Sequence, residues 1–255
     1  TSLTFNPPAV AAPTQNQNVV LTATNGTCAP TATIRVDNAP TAANAGSDIP
    51  QCASSTFTLA GNAPGVTGTT QLWTCFSGCT GLTITTPGSA TSTVTSVPNG
   101  TTTLTWTFTN GVCSSSDNVD LTNSAQAVIS GSTAVCDDQT GGVTYNNNVG
   151  STNWSVTPGS LGSINSSGLF IPANIATPTQ SASGSIVVTN GACVTNYNIT
   201  VYNKPSITSS NASMCQGDVR TLTADVNGTT FTGTGVNFNG TNYIFTAPNP
   251  GGTSA

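Results

Sequence analysis

Cysteine is the residue type in this chain best suited to covalent chemistry, and six of its eight copies fall into two periodic series. The hairpin series ends each Thr-Asn-Gly-X-Cys motif and comprises Cys28, Cys113 and Cys193, which are 85 and 80 residues apart. The leading series runs out of phase with it and comprises Cys52, Cys136 and Cys215, which are 84 and 79 residues apart. Periodic thiols predict disulfides that recur along the chain, which favours an oxidising compartment.

Joining each leading cysteine to the next hairpin cysteine, and the remaining close pair to itself, predicts three bridges. They are Cys52–Cys113, Cys136–Cys193 and Cys75–Cys79. The two long loops would each contribute about 4 kcal/mol in the chain-entropy model. This pairing leaves Cys28 and Cys215 over, and we expect their partner cysteines outside the chain. A zinc site is disfavoured, because it needs four ligands and the chain has no histidine.

Carboxylates are the other candidate reactive groups, but they are few. The chain has eight acidic residues, all aspartate, and no histidine to assist in proton transfer. Asp117 and Asp120 are three residues apart, and Asp137 and Asp138 are adjacent, so a paired-carboxylate site like that of a glycosidase deserves consideration. Adjacent residues of a strand face opposite sides, however, so these pairs do not converge. The sequence therefore predicts no catalytic residue and no enzyme.

Calcium is the one cofactor that the sequence leaves open. Four aspartates lie near the expected junctions between repeats: Asp48, Asp137, Asp138 and Asp218. Carboxylate oxygens at such places can hold calcium and stiffen a linker. Because no dense Asp-X-Asp-X-Asp loop is present, ordinary junction turns are the favoured interpretation, and we expect no cofactor.

Composition excludes two classes of partner. Only 4% of the residues are charged, and the formal net charge is −5 with three cationic side chains. Such a chain cannot neutralise a nucleic-acid backbone. No run of 18 apolar residues occurs, so the sequence predicts no membrane insertion. A surface rich in Thr, Asn and Ser, together with the cysteines, favours an extracellular protein.

The elements that must position the cysteines are β-hairpins. Asn-Gly is a strong hairpin signal and predicts a type I′ turn, in which both residues have positive φ. In Thr103–Thr109 large apolar residues alternate with threonine, as in a half-buried antiparallel strand, which places Trp106 in the core. Six or seven short strands in about 80 residues predict a β-sandwich. The order Cys…Trp…Cys favours an immunoglobulin-like one.

The spacing of these motifs also predicts the domain boundaries. Phe5 and Phe170 each open an aromatic-to-proline segment that lies 23 residues before a hairpin cysteine. The sequence therefore predicts a C-terminal part of a repeat (1–41), two complete repeats (42–124 and 125–204) and an N-terminal part (205–255). Both chain ends are expected to fall within a repeat. A continuous longer array is the simpler interpretation, and completion of the two parts between neighbouring molecules is the alternative.

Two stretches carry a resemblance to known repeats. Ala43-Asn44-Ala45-Gly46-Ser47-Asp48 continues through Cys52 to Thr56–Asn62, and Ser213–Asp218 begins a similar stretch. The chain resembles the immunoglobulin-like or PKD-like repeats of large secreted surface proteins of gliding, Bacteroidetes-type bacteria. The resemblance implies tandem all-β sandwiches, an extracellular, cell-surface location and export by the type IX route. It brings no catalytic residues.

The leading hypothesis is a structural segment of a long extracellular repeat protein that acts as an adhesin, stalk or filament. Its partners would be neighbouring repeats of the same chain, with a surface or glycan ligand that the sequence does not identify. Self-association into filaments is a further prediction, because the strand edges carry little charge. The alternative is a carbohydrate-binding or accessory module of a secreted enzyme, which would need an exposed aromatic platform around Trp73 or Trp154.

Overall fold

The computed structural model describes residues 4–209 and 213–248. Over these residues the chain forms 21 β-strands and one short 3-10 turn. They divide into two compact units. The first runs up to Gln126 and also includes Gly191–Cys193, and the second runs from Ala127 to Asn190 and continues from Val194. The predicted all-β class is confirmed.

The first unit opens with a hairpin. Its strands are β1 (Asn16–Thr22) and β2 (Thr31–Asp37), which pair antiparallel with Val19 opposite Ile34. The turn of this hairpin is closed by a bridge between Asn25 and Cys28. None of the strand residues is fully buried, so this hairpin has no core of its own.

The remainder of the first unit contains seven strands. They are β3 (Ile49–Cys52), β4 (Phe57–Thr58), β5 (Thr70–Ser77), β6 (Thr83–Ile84), β7 (Thr93–Thr95), β8 (Gly100–Asn110) and β9 (Cys113–Ser124). One sheet has the order β3-β9-β8-β5 and the other β4-β7-β6. With β4 to β9 as strands B to G, these are the B-E-D and C-F-G sets of an immunoglobulin-like sandwich.

The first strand departs from the predicted antiparallel pattern. β3 runs parallel to β9, with Ile49 opposite Leu121 and Cys52 opposite Ser124, while all other pairs of this unit are antiparallel. This parallel pairing places Cys52 beside the last residue of the last strand. The position of Cys52 at the end of the sandwich follows from that register.

Both sheets contribute to one core. Phe57 and Val94 come from the three-stranded sheet, and Trp73, Trp106 and Phe108 come from the four-stranded sheet. Trp73 and Trp106 stack with their rings 4.7 Å apart. The indole N–H of Trp106 donates to the carbonyl of Asn62 at 3.1 Å, so the polar atom of this buried ring is paired. The prediction that Trp106 is a core residue is confirmed.

The second unit repeats this arrangement. Its strands include β10 (Ile129–Ser130), β11 (Ala134–Cys136), β12 (Val143–Thr144), β13 (Asn146–Asn147), β14 (Trp154–Thr157), β15 (Gly162–Ile164), β16 (Leu169–Pro172), β17 (Ser181–Asn190) and β18 (Cys193–Tyr202), whose first residue belongs to the first unit. The 3-10 turn is Gly159–Leu161. The sheets are β11-β18-β17-β14 and β12-β16-β15, with β10 paired to β13. β11 is parallel to β18, and the core includes Tyr145 and Phe170.

The second unit ends in a further three-stranded sheet. Its strands are β19 (Val219–Thr221), β20 (Val236–Phe238) and β21 (Tyr243–Thr246), in the order β19-β21-β20. This order matches β4-β7-β6 and β12-β16-β15, with β21 in the place of β7 and β16. Val219 and Phe238 of this sheet are exposed.

The three Asn-Gly turns differ from the predicted type. Gly26, Gly111 and Gly191 have φ of 61°, 58° and 55°. The asparagine before each glycine does not have positive φ. Asn110 and Asn190 end strands β8 and β17, and Asn25 forms an isolated bridge to Cys28. Glycine at the first central position is typical of a type II′ turn rather than type I′. The asparagine is therefore free to make contacts with its side chain.

Among the described residues, no helix has the length and apolar character needed to cross a membrane.

Candidate functional site at the cysteine-bearing junctions

The structure contains two disulfides, and one of them differs from the predicted pairing. Cys75 bonds to Cys79 with a Cα–Cα distance of 5.9 Å, as expected. Cys52 bonds to Cys193, 141 residues away, with a Cα–Cα distance of 4.7 Å. The predicted bridges Cys52–Cys113 and Cys136–Cys193 are therefore wrong in this structure. The thiols of Cys28, Cys113, Cys136 and Cys215 are free.

The reason for the difference lies in where the hairpin cysteine sits. Cys113 is the first residue of β9, whereas Cys52 lies opposite Ser124, the last residue of the same strand. A twelve-residue strand separates these two positions by about 36 Å at 3.3 Å per residue. A disulfide needs Cα atoms within about 7 Å, so Cys113 cannot reach Cys52. The ten-residue strand β18 places Cys193 about 30 Å from Tyr202 at 3.3 Å per residue, so Cys193 cannot reach Cys136, which lies opposite Tyr202.

Ser124 is the centre of the bridged junction. The backbone N–H of Ala192 donates to its hydroxyl at 3.1 Å, and the sulfur of Cys193 lies 3.2 Å from its carbonyl oxygen. The N–H of Ala53 donates to the same carbonyl at 2.8 Å. The residue after the leading cysteine and the tip that carries the hairpin cysteine thus meet at one strand end. Ser124 is a functional position that the sequence alone did not single out.

Glycine is required at the tip because of this contact. A side-chain Cβ at Gly191 would overlap the hydroxyl of Ser124, and the positive φ disfavours other residues as well. Cys193 itself is only 1% exposed, so the bridge is shielded from solvent on that side. The sulfur of Cys52 faces the side-chain oxygen of Gln126 at 3.0 Å.

Cys113 occupies a matching place on Asp37, the last residue of β2. Its sulfur lies 3.8 Å from the carbonyl oxygen of Asp37, and the N–H of Val112 donates to the Asp37 carboxylate at 3.3 Å. The side chain of Asn110 donates to the carbonyls of Gln15 and Asn38 at 2.7 and 2.8 Å. The Thr-Asn-Gly-X-Cys tip therefore binds the end of the preceding hairpin, although Cys113 has no partner sulfur.

Cys136 ends β11 opposite Tyr202, as Cys52 ends β3 opposite Ser124. The N–H of Asp137 donates to the carbonyl of Tyr202 at 2.9 Å, which reproduces the bond from Ala53. The thiol is exposed. The leading half of a junction is therefore present here without a hairpin cysteine.

The aspartates proposed for calcium are engaged with the protein. Asp48 accepts a hydrogen bond from the N–H of Asp120, and Asp218 accepts one from the N–H of Cys215. Asp137 accepts from the N–H of Lys204, at 2.9 Å, and from a second backbone N–H. Among the described residues, no group of three or more Cys, Asp, Glu or His side chains is placed to hold a metal ion.

Asp138 pairs with Lys204, 2.7 Å away. The hydrogen bond to Asp138, supported by its charge, raises the pKa of Lys204 above its ordinary value. Both side chains are well exposed, so the pair contributes little stability. Its position next to Cys136 places the lysine of the chain at the same strand end.

Asp117 and Asp120, the carboxylates three residues apart, are each engaged by a donor of the protein. Asp117 accepts a hydrogen bond from the N–H of Ala45 at 2.8 Å, and Asp120 accepts one from the hydroxyl of Thr103 at 2.7 Å. The two residues occupy odd and even positions of β9 and so face opposite sides of the sheet. The two carboxylates therefore do not converge on one site.

The tryptophans considered for a sugar-binding platform lie in or against the two cores. Trp73 and Trp106 are 2% and 0% exposed, and Trp154 packs against the core of the second unit. Tyr145 is buried with Phe170 at a ring distance of 6.3 Å. Burial, with a smaller contribution from Tyr197, raises the pKa of Tyr145 to about 12.

No protein-family model matches the chain, and no curated protein matches it. Among solved structures, titin domains I67–I69 are similar at 12% identity and a TM-score of 0.44, covering 81% of this chain and 86% of that one. Sidekick-1 immunoglobulin domains 1–4 are similar at 12% identity and a TM-score of 0.42, covering 72% and 57%. The strand order of the two full sandwiches is that of an immunoglobulin-like fold.

Proposed function

We propose that this chain is a structural segment of a long extracellular repeat protein that acts as an adhesin, stalk or filament at the cell surface. The observation that carries the proposal is the recurrence of one sandwich along the chain. The three-stranded sheet occurs three times in the same strand order, and the four-stranded sheet occurs twice. Each full sandwich has its own core. Tandem sandwiches that each fold around their own core are typical of a spacer segment.

The proposed division of the chain is 1–41, 42–124, 125–204 and 205–255. The hairpin β1–β2 corresponds to the last two strands of a sandwich, and β19–β21 correspond to the three-stranded sheet of another. A groove of about 580 Å³ along β1 and β2 is lined by Phe5, Leu21 and Ala32. Such an apolar face is what a hairpin leaves open when the opposing sheet is absent, which supports 1–41 as a partial repeat. Residues 1–3, 210–212 and 249–255 of the outer segments lie outside the described residues.

A structural function, without catalysis, also fits the chemistry. Arg35 forms an ion pair with Asp37, and Lys204 forms one with Asp138, both near strand ends. Threonines along β8 pair with β9 through side chains, as Thr105 does by donating to Asn118 at 2.7 Å. These side chains thus form contacts within the protein itself. Neighbouring repeats are the proposed partners, and lateral association of the uncharged edges into filaments is a second proposed interaction.

The proposal includes a place in gliding motility and export by the type IX route, which rest on the resemblance alone. Surface exposure can be tested directly. Antibodies against the chain should label intact cells of the source organism, and protease added to intact cells should remove the label while a cytoplasmic marker survives. Labelling that requires permeabilised cells would contradict the proposed location.

A further inference from the structure

Among the described residues, three strand ends carry related contacts: Asp37, Ser124 and Tyr202, the last residues of β2, β9 and β18. Asp37 and Tyr202 each reproduce one half of the arrangement at Ser124. Around Ser124 a leading cysteine and a hairpin cysteine meet and are bonded. Around each of the other two, one cysteine is present and the other is missing. The end at Asp37 has the hairpin cysteine and lacks the leading one, whereas the end at Tyr202 has the leading cysteine and lacks the hairpin one.

The place around Asp37 holds the hairpin cysteine. The tip residues Gly111, Val112 and Cys113 contact Asp37 as Gly191, Ala192 and Cys193 contact Ser124. In both cases a Cβ on the glycine would overlap the side chain of the strand-end residue. A cavity of about 300 Å³, lined by Asp37, Val112 and Cys113, lies beside the free sulfur.

The place around Tyr202 holds the leading cysteine. Cys136 lies opposite Tyr202 in the parallel register that places Cys52 opposite Ser124. The residue after each leading cysteine donates its N–H to the carbonyl of the strand-end residue, at 2.9 and 2.8 Å. A cavity of about 310 Å³, lined by Cys136, Tyr202 and Asn203, lies beside this free thiol.

We propose that Cys113 and Cys136 are half-sites of disulfides of the Cys52–Cys193 kind. Cys136 receives the hairpin cysteine of a repeat that follows, and Cys113 receives the leading cysteine of a repeat that precedes. The occupant in each case is a further repeat of the same class, with its own Thr-Asn-Gly-X-Cys tip or leading cysteine. The same rule assigns Cys215 to a later hairpin cysteine and Cys28 to an earlier leading one. A single rule, in which each leading cysteine bonds to the hairpin cysteine of the following repeat, thus accounts for all four free thiols.

The resulting structure is a ladder in which each repeat is covalently bonded to the next at a strand end. Each bond forms by thiol–disulfide exchange with a low-molecular-weight disulfide such as glutathione disulfide. Two thiols lose two protons and two electrons and become one disulfide, and the oxidant is reduced to two thiols. This inference rests on the proposed array of repeats, but an array without cross-repeat bonds would still act as a spacer.

The experiment enlarges the full chain by one natural repeat. A second copy of residues 125–204 is inserted after residue 204, so that the original Cys136 is followed by a repeat with its own Cys193. The protein is refolded in glutathione redox buffer, its thiols are alkylated in denaturant, and the intact mass and peptide map are measured without reductant. We expect a bond from the original Cys136 to the inserted Cys193, with the thiol count unchanged at four.

A second enlarged chain tests Cys113. A copy of residues 42–124 inserted after residue 124 should join the original Cys52 to the inserted Cys113, and the inserted Cys52 to Cys193. The thiol count should again remain at four, because the inserted Cys75 and Cys79 bond to each other. A control with the inserted Cys193→Ser in the first enlarged chain should leave the original Cys136 as a thiol.

Each result decides the proposal. Two additional thiols in either enlarged chain, or a bond from Cys136 to the hairpin cysteine of its own repeat, would overturn it. Failure of both enlarged chains to fold would overturn it too, since the ladder requires every repeat to accept a neighbour of its own kind. Loss of the ladder would leave the cell-surface labelling unaffected, so the two proposals fail separately.

Discussion

Removing the Cys52–Cys193 bridge should destabilise the first unit more than any other change to a cysteine. The bridge spans 141 residues, whereas Cys75–Cys79 spans four. In the chain-entropy model the loss is about 5 kcal/mol for the long loop and about 2 kcal/mol for the short one. We therefore expect Cys52→Ala/Cys193→Ala to lower the free energy of unfolding by about 3 kcal/mol more than Cys75→Ala/Cys79→Ala does.

Urea denaturation followed by tryptophan fluorescence measures this difference. All variants carry Trp154→Phe, which leaves the stacked pair Trp73 and Trp106 as reporters of the first core. Cys113→Ala is the matched control, because Cys113 occupies the same place on a hairpin tip without a bonded sulfur. It should cost less than about 1 kcal/mol, the usual range for a small change at a half-buried position.

The outcome separates the two pairings directly. If the long loop were closed by Cys52–Cys113, Cys113→Ala would be as destabilising as Cys52→Ala/Cys193→Ala. If the two double variants lost equal stability, the long bridge would not constrain the unfolded chain. Either result would refute the reasoning.

Three further predictions follow from single features. Gly191→Ala and Gly111→Ala should each cost about 1 kcal/mol more than Gly26→Ala in urea denaturation, because all three glycines have positive φ but only Gly26 has open space at its Cβ; equal losses would show that the tips do not depend on Ser124 and Asp37. Burial raises the pKa of Tyr145 from its ordinary value of 10 to about 12. The stability that the protonated Tyr145 side chain gives the folded state is therefore complete below pH 10 and is lost as the pH rises towards 12. The free energy of unfolding of the second unit should then fall by up to about 1.4 kcal/mol per pH unit, and a Tyr145→Phe variant with the same slope would contradict this. In single-molecule pulling from the chain ends, reductant should release about 500 Å of additional length, from 141 residues at about 3.6 Å each, whereas unchanged length would show that the bridge is absent.

Much of the fold could be predicted because the strands carry strong local signals. In β8, Leu104, Trp106 and Phe108 alternate with threonine, and all three are fully buried while Thr105 and Thr107 are half-buried. The hairpins were predicted from Asn-Gly, but the predicted turn type, I′, was wrong. At the Asn110–Gly111 turn only the glycine has positive φ, because Asn110 is paired with Cys113 in the strand ladder and its side-chain amide donates to the preceding segment.

The Cys52–Cys193 bridge could not be predicted from spacing. The two cysteine series have nearly the same period, so spacing does not show whether a leading cysteine bonds to the hairpin cysteine of its own repeat or to that of the next repeat. The spacing from Cys52 to Cys113 and that from Cys52 to Cys193 both connect a leading cysteine to a hairpin cysteine. What decides between them is the parallel pairing of β3, which sets Cys52 at the far end of β9. Alternation along the four residues of β3 indicates which face each side chain takes, but it does not indicate whether the strand pairs parallel or antiparallel.

The most direct test of this account is the disulfide map of the native, unextended chain, obtained by proteolysis and mass spectrometry after alkylation without reductant. The account predicts a peptide pair joined through Cys52 and Cys193, an intact Cys75–Cys79 loop, and alkylated thiols at Cys28, Cys113, Cys136 and Cys215. Recovery of Cys52 bonded to Cys113, or of Cys136 bonded to Cys193, would contradict it.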